Sequence, residues 1–547
     1  MALATAACVP AATAPTPTTV APINIPSVDR GVTSPPAPTT APAPTTAAPA
    51  PSTTVPGPPG AAPLNARLLV DKLTFGPKPG LVAAIEAQGL WTWIEGQLDP
   101  VGRNIVHAES RVAGYATLTN SHRQNYSVQE TDGGYDRLIL ELDHATMQRA
   151  VYSDRQLYEL MCDFWTNHFN TWRQKTWMAF LKNRSHETVV RPNALGKFSD
   201  MLLASAQDTA MLDYLDNTVS DASVPGGVNE NYGREILELH TLGILGGVQP
   251  YTEADVRGVA RTLSGWSIKW EDAPNRYGFD FRPWMHSRDA VSILGGAFTS
   301  PARAYGQGLD DGVRLVNVLA HHPATARHIA TKLCRRFVSD TPSDALVTST
   351  AAVFIANDTA IVPTLRHIFA STEFAQSARS KVRRPFEHVV ATLRAVNAAV
   401  AVNPLGEASV KLHQLMERVG QPLYERHSPD GYPDANSFWM SSEGLLQRWA
   451  ASARITRNGL TDNSEPDKVV VNLAALLPNP APATVAALLA WLAENLANYT
   501  LSAGDIAELC TACSINGSSA ATTITGNGNN LALAVGLVLA HPTFQKR

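Results

Sequence analysis

The chain has 547 residues, of which 44% are hydrophobic and 17% charged, so it is neither a disordered chain nor a charge-rich solenoid. Its formal net charge of −4 at pH 7 argues against a dedicated nucleic-acid-binding protein, which would show a basic excess. No stretch approaches the roughly 20 apolar residues that cross a bilayer. An enzyme or an assembly-forming protein remains, and we expect neither a transmembrane segment nor a nucleic-acid partner.

The N-terminal segment, residues 1–63, differs in composition from the rest of the chain. It contains 16 of the 38 prolines, and its only charged residues are Asp29 and Arg30. Proline favours extended conformations, and the segment has little large apolar surface to bury. We predict a disordered Pro/Thr/Ala-rich segment. It is either a plain spacer or an O-glycosylated stalk of the kind found in exported bacterial proteins.

The first residues carry an incomplete export signal. No Lys or Arg accompanies the weakly apolar stretch Ala2–Val9, so an intact signal peptide is not present in this sequence. Thr5–Cys8 reads Thr-Ala-Ala-Cys and resembles a degraded lipoprotein cleavage box. Two interpretations stay open. Either Cys8 is an ordinary residue of the segment, or the true start lies upstream and the signal is missing.

From residue 64 onward, apolar residues recur mainly with the period of a helix. A first stripe at 66–73 ends at the Gly- and Pro-containing stretch 75–80, and a second helix follows within 81–98. The best strand candidates are Tyr277–Phe281 and Val291–Leu294, within a loop-like stretch. The fold class is therefore mainly α: a large multi-helix domain with long loops, residues 64–457. Further helices are predicted within 137–183, 253–266, 311–338, 360–374, 383–402 and 440–457.

A polar stretch, residues 458–468, indicates a hinge before the C-terminal part of the chain. We predict a C-terminal helical layer or subdomain over 468–547. Cys510 and Cys513 lie three residues apart in one of its predicted helices. Without a second pair of ligands they do not form a zinc site, so they are either a local disulfide or two small core residues.

The first candidate functional segment is Asp163–Asn170, which combines aromatic residues with Asn and His. His168 follows Phe164 by four residues, so the two side chains are neighbours on a helix. A histidine in such surroundings can act as an acid or base, because its pKa is easily moved across neutrality. The alternative is a core histidine that is hydrogen-bonded to a buried amide.

The second candidate segment is Asn229–Gly243, where charged residues concentrate next to a glycine-containing loop. Glu235 and Glu238 share one face of a regular helix, whereas His240 lies about 140° away from Glu235 and about 200° away from Glu238. One regular helix therefore cannot direct all three side chains at one metal ion. The other acidic candidates are Glu230, within the segment, and Asp216, before the loop.

These carboxylates allow two kinds of chemistry and one structural alternative. Paired carboxylates can perform general acid–base catalysis, or bind a divalent cation with ligands from elsewhere in the chain. In the alternative, Arg234 bridges Glu230 and Glu238, four residues away on either side, and the face is a polar helix contact. The candidate site residues are His168, Asp216, Glu230, Glu235, Glu238 and His240.

The ordered motifs of the chain resemble those of the large bacterial family called domain of unknown function 1800, over roughly residues 64–457. The most specific motif is Asn229–Gly243, read as NENYGREILELHTLG. The resemblance implies a mostly helical protein that is commonly exported, so we expect an exported or envelope-associated protein. The other matching motifs are Leu73–Pro77, Trp93–Leu98, Phe164–Phe169, Tyr251–Val256, Leu263–Trp266, His322–Ala326, Lys332–Phe337 and Pro429–Pro433.

Two functions of different classes follow from these observations. The first is a hydrolase or lyase that acts on an extracellular polymer, using the clustered carboxylates and histidines. The second is a non-catalytic envelope or assembly protein, in which the same residues form a buried scaffold. The two differ in whether the carboxylates of Glu235 and Glu238 face an open cleft near His168 or are each closed off by an arginine.

Overall fold

The computed structural model describes residues 55–99, 106–175, 178–244, 247–462 and 464–547. These residues form helices joined by loops, with a few short strands, which confirms the predicted mainly α fold class. Residues 1–54, most of the segment predicted to be disordered, lie outside the described residues. Within the part of the chain that is described, no helix is both long enough and apolar enough to cross a lipid bilayer.

Residues 55–63 contact the helices, although they belong to the Pro/Thr/Ala-rich segment. Val55 N donates to Thr92 Oγ1 at 2.8 Å, and Ala62 N donates to the Ala370 carbonyl at 3.0 Å. Gly57 lies directly against the indole ring of Trp91. These contacts show that packing against the helices begins before residue 64.

Apolar spacing and polar caps determine the helices of the first part of the chain. Asn65 caps the first helix by accepting from Leu68 N at 2.8 Å, and Ser121 forms a capping box with Gln124. The α-helices up to residue 263 are Ala66–Leu73, Leu81–Gln88, Leu90–Leu98, Val106–Val112, Ala116–Thr119, His122–Gln129, Gly134–Tyr152, Gln156–His168, Met178–Ser185, Arg191–Asn193, Phe198–Ala206, Thr209–Tyr214, Asn231–Glu235 and Glu253–Leu263.

Two of these helices continue directly into a wider π-helical turn, at His186–Val190 and at Ile236–His240. Single-turn 3-10 helices lie at Asn217–Val219, Leu294–Gly296, Asn436–Trp439 and Ala474–Leu476. The α-helices after residue 300 are Leu309–Ala320, Pro323–Phe337, Asp344–Ala356, Ile361–Ala370, Thr372–Ala375, Pro385–Ala395, Glu407–Arg418, Ser442–Thr456, Val485–Asn495, Ala503–Ala512, Thr522–Thr525 and Gly528–Ala540.

The strands of the described residues form antiparallel pairs of two short strands each. Both predicted strand regions, Tyr277–Phe281 and Val291–Leu294, contain a strand. In the first pair, Trp266 lies opposite Phe281. The pairs are Trp266–Ile268 with Phe279–Phe281, Val291–Ile293 with Phe298–Ser300, and Ala399–Val400 with Val469–Val470.

The C-terminal residues belong to the same compact unit as the rest of the described chain. Helix Gly528–Ala540 packs against Ser442–Thr456. The Arg383 N–H donates to the Gln545 carbonyl at 2.8 Å, and the Arg547 N–H donates to the Lys381 carbonyl at 2.7 Å. The last residues of the chain are therefore hydrogen-bonded to the segment around residues 381–383.

Cys510 and Cys513 are free thiols in the structure, as are Cys162 and Cys334. Cys510 is buried and Cys513 is partly buried. This arrangement agrees with the alternative of two small core residues rather than a local disulfide.

Candidate functional site

Three histidines from three different helices meet around the ammonium group of Lys332. Lys332 Nζ lies 2.8 Å from His168 Nδ1, and His168 Nε2 lies 3.2 Å from the His240 carbonyl oxygen. The ring centroid of His168 is 6.1 Å from that of His240 and 6.3 Å from that of His328. The three helices are Gln156–His168, Ile236–His240 and Pro323–Phe337.

Burial keeps these histidines neutral. It lowers the pKa of His168 well below its ordinary value, and Lys332 lowers it further. Burial likewise lowers the pKa of His240 and of His328 to about 3 each. A neutral His168 that donates from Nε2–H to the His240 carbonyl has Nδ1 free to accept from Lys332.

Lys332 is itself unusual for a lysine. Removal from water lowers its pKa from 10.5 to about 8, and Asp434 and Asp430 only partly offset this effect. At slightly alkaline pH, Lys332 is therefore neutral in a sizeable fraction of the protein molecules. A neutral amine can act as a base and a nucleophile. An ordinary lysine, with a pKa of 10.5, is almost fully protonated near pH 7 and can do neither.

The π-helical turn Ile236–His240 explains the position of His240. The sequence analysis treated this segment as one regular helix, but the helix widens after Glu235, so the predicted angles do not apply. His240 is 0% exposed, whereas Glu235 and Glu238 remain partly exposed. The turn thus separates a buried histidine from two accessible carboxylates, and π turns are frequent at functional sites.

A cavity of about 210 Å³ opens beside the Lys332–His168 pair. Its wall combines cationic, acidic and aromatic side chains from several helices and one loop. We call it the Lys332 cavity. It is lined by Phe164, Asn167, His168, Lys332, Arg335, Arg336, Arg384, Asp430, Tyr432, Pro433, Asp434 and Ala435.

Asn167 holds the loop that carries the two acidic residues of this cavity. Its Nδ2 donates to the Tyr432 carbonyl and its Oδ1 accepts from Tyr432 N, both at 2.7 Å. Gly431 has φ +75°, and a Cβ at this position would lie 2.2 Å from the Asn167 carbonyl oxygen. Only glycine fits here, and the close approach fixes Asp430 and Asp434 at the cavity.

The carboxylates of Glu235 and Glu238 are not closed off by an arginine. Arg234 instead pairs with Glu253 through two bonds of 2.7 Å, so the predicted bridge to Glu238 is absent. Glu238 accepts from the Tyr251 hydroxyl at 3.1 Å. The carboxylate of Glu235 forms no hydrogen bond or ion pair with another described residue. Burial and the neighbouring Glu238 raise its pKa.

Asp430 connects Glu235 to the Lys332 cavity electrostatically. Its negative charge raises the pKa of Glu235 and also that of Lys332, so all three groups lie in one electrostatic neighbourhood. Tyr214 belongs to the same neighbourhood, since burial raises its pKa to about 12 and the charges of Glu235 and Asp430 contribute in the same direction. Glu235 is not one of the residues that line the Lys332 cavity, and its electrostatic link to Lys332 runs through Asp430.

The remaining two candidates lie at the start of the Asn231 helix and have other partners. Asp216 pairs with Lys175 at 2.6 Å and accepts from Asn231 Nδ2 at 3.4 Å. Glu230 lies 3.9 Å from Arg234, the one contact that the sequence analysis expected of it. The structure thus unites His168 with His240, and leaves Asp216 and Glu230 in separate polar contacts.

The hypothesis of a bound divalent cation finds little geometric support. Among the described residues, no group of three or more His, Cys, Asp or Glu side chains is placed to hold a metal ion. Glu235 and Glu238 form a pair without a third such ligand.

The sequence analysis missed Lys332 and the charged residues around it. Lys332–Phe337 and Pro429–Pro433 were recognised only as motifs of the resemblance, without a role. A lysine between apolar residues of a helix reads as a surface residue, because the pattern does not reveal which loop covers it. The covering loop, near 430, is distant in sequence.

Comparison with known proteins identifies the family but not the reaction. No curated protein and no solved structure matches the chain. One family model, described as Protein of unknown function (DUF1800), matches residues 68–546. This match reaches beyond the predicted limit at 457 and includes the C-terminal helices. The chain therefore belongs to the DUF1800 family of proteins of unknown function.

Proposed function

We propose that the protein is an exported or envelope-associated hydrolase or lyase that acts on an extracellular polymer by general acid–base catalysis. The observation that carries this proposal is Lys332, a partly buried lysine whose pKa is lowered to about 8, which lines a cavity and contacts a neutral histidine. Perturbed titratable groups in cavities are typical of catalytic sites. The composition of residues 1–63 and the family resemblance support export.

In this proposal, Lys332 is the general base. Its neutral amine takes a proton from a water molecule in hydrolysis, or from a substrate carbon in elimination. His168 keeps the amine in place through its Nδ1, and the His240 carbonyl fixes the tautomer of His168. His168 and His240 are therefore positioning residues, since they act through the lysine.

Glu235 is the general acid. Its raised pKa favours the protonated form, which can donate a proton to the leaving oxygen of the polymer. Glu238 raises this pKa by its charge and is itself held by the Tyr251 hydroxyl. A base with a lowered pKa and an acid with a raised pKa are the combination that acid–base catalysis at neutral pH requires.

The alternative, a non-catalytic scaffold, predicts that arginines neutralise the carboxylates. Arg234 pairs with Glu253 instead, and Glu235 has no ion-pair partner among the described residues. An unpaired, partly buried carboxyl next to another carboxyl destabilises a purely structural contact. This geometry favours the catalytic proposal.

The test is a panel of polysaccharide, ester and peptide substrates assayed with wild type, Lys332→Met and Glu235→Gln. We expect turnover of one polymer class by the wild type and a loss of about 10²–10⁴-fold in each variant. Glu443→Gln, which changes an exposed glutamate, is the matched control and should retain full activity. Equal activity of all four proteins would contradict the proposal.

A further inference from the structure

The walls of the Lys332 cavity carry more positive than negative charge. Four cationic side chains line it, against two acidic ones, Asp430 and Asp434. Asp434 is already paired with Lys381 at 3.0 Å, and Asp430 lies 3.9 Å from Arg426. Both acids thus also interact with cations that do not line the cavity. The cations that line the cavity are Lys332, Arg335, Arg336 and Arg384.

Two of these cations keep buried N–H groups without an acceptor. Arg336 is 1% exposed, yet its Nε and Nη2 have no hydrogen-bond partner among the described residues, although Nη2 lies 3.8 Å from Asp163 Oδ2 as an ion pair. Arg384 is 4% exposed, and its Nε likewise has no hydrogen-bond partner among the described residues. Buried donors are nearly always satisfied in proteins, so the two arginines keep unused hydrogen-bonding capacity next to the cavity.

Both arginines also form hydrogen bonds with buried or partly buried acidic side chains. Arg336 Nη1 donates to Glu387 Oε1 at 2.5 Å, and Arg384 Nη2 donates to Asp163. Glu387 also accepts from Arg384 Nη2 at 3.2 Å. Fixed guanidinium groups of this kind bind carboxylate or sulfate oxygens without losing side-chain freedom.

From this geometry we propose that the Lys332 cavity binds an acidic group of the substrate, either a carboxylate or a sulfate or phosphate ester. The polymer is then an anionic one, and its acidic group lies against Arg335, Arg336 and Arg384. The inference rests on the proposed function for the identity of the ligand as a substrate. Binding of the anion itself does not require turnover.

An acidic group at this position also explains the choice of base. A carboxylate bound by the arginines has its negative charge neutralised, which acidifies the hydrogen on the adjacent carbon. In an elimination, Lys332 takes that proton, the electron pair forms the new carbon–carbon double bond, and the leaving oxygen departs with a proton from Glu235. No oxidant, reductant or further reactant is needed.

The test is isothermal titration of the full-length protein with galacturonate, sulfate and inorganic phosphate, and with galactose as the uncharged counterpart of galacturonate. Arg335→Gln is the informative variant, because Arg335 is exposed and its loss should not affect folding. Arg327→Gln is the matched control, since Arg327 lies on the same helix and pairs with Asp344 instead.

We expect saturable one-to-one binding of at least one anion, at least fivefold weaker in Arg335→Gln and unchanged in Arg327→Gln. Preference for galacturonate identifies a carboxylate, and preference for sulfate or phosphate identifies an ester; both support an anion site. No saturable binding of any anion, equal binding of galactose, or equal weakening in both variants would overturn it. Anion binding without turnover of any polymer would refute the proposed function and leave the anion site intact.

Discussion

The ammonium group of Lys332 is held in surroundings that disfavour its charge. Burial lowers its pKa from 10.5 to about 8, so at pH 7 the folded protein carries a charge that the unfolded chain solvates better. Functional groups with a desolvated charge commonly lower the stability of the folded protein.

We predict that Lys332→Met stabilises the protein at pH 7 by on the order of 1–2 kcal/mol, because a desolvated charge is replaced by an apolar side chain of similar length. Between pH 8 and 10.5 the unfolded chain holds more protons than the folded one, so wild-type stability rises with pH. The difference in unfolding free energy between Lys332→Met and the wild type should therefore become smaller between pH 8 and 10.5. Chemical denaturation at pH 7 and pH 9.5 measures both effects, and a destabilised variant at pH 7 would argue against a strained lysine.

We predict that Glu238→Gln changes stability by less than about 1 kcal/mol, because the amide can still accept from the Tyr251 hydroxyl and no arginine depends on the charge. Activity should fall, since the pKa of Glu235 loses the contribution of its neighbour. Thermal melting and the pH–rate profile provide the two readouts. A loss of several kcal/mol would instead support the scaffold alternative.

At the scale of elements, the site depends on two irregular features that join regular helices. The π turn Ile236–His240 turns His240 into the core, and the loop around Gly431 lies over His168 through its bonds to Asn167. Helix periodicity predicted the surrounding helices well, because amphipathic spacing reports burial directly. It could not predict the π turn or the covering loop, since both are set by tertiary contacts.

The site residues likewise divide into those that the sequence motifs indicate and those that only the structure reveals. His168 and His240 were singled out from their motifs, and the structure places them together. Lys332 was missed because its pKa is lowered mainly by burial, and the residues that cover it, near 430, are distant in the sequence. Sequence neighbours alone do not contain this information.

We predict that Gly431→Ala lowers both stability and activity. The left-handed conformation at φ +75° costs a non-glycine residue about 1–3 kcal/mol, and a Cβ would also collide with the Asn167 carbonyl. Gly420→Ala is the matched control, since Gly420 has φ +82° but nothing within 4 Å of a Cβ. The excess loss at 431 over 420, measured by denaturation, isolates the collision. Equal effects of the two changes would mean that the loop does not need this close contact.

At the scale of the whole molecule, several buried histidines must stay neutral for the fold to persist. His240 and His388 are 0% exposed, and burial lowers the pKa of each to about 3. The unfolded chain protonates these groups near pH 6.5, so it binds more protons than the folded protein below that pH. Stability is therefore lost as the pH falls from 6.5 toward 3.

We predict that each such histidine contributes about 1.4 kcal/mol of lost stability per pH unit in this range. His240→Gln should reduce the slope of stability against pH by the contribution of one histidine. Denaturation at pH 7, 6 and 5 measures the slope. A slope that His240→Gln does not alter would show that His240 is already charged in the fold.

We predict that deletion of residues 1–54 leaves the melting temperature unchanged, because a Pro/Thr/Ala chain contributes no packed core. Deletion of residues 1–63 should lower it, since the bonds of Val55 to Thr92 and of Ala62 to Ala370 are lost. Differential scanning calorimetry of the two truncated proteins distinguishes the effects. Identical melting temperatures would show that residues 55–63 add nothing to stability.

The central claim is that Lys332 is a base with a lowered pKa in the folded protein. The most direct test is an NMR titration of protein with labelled lysine side chains, in which the Lys332→Met variant assigns the signal. The account predicts a midpoint near pH 8 for Lys332. A midpoint near the ordinary value of 10.5 would contradict it, because such a lysine could not serve as a base near neutral pH.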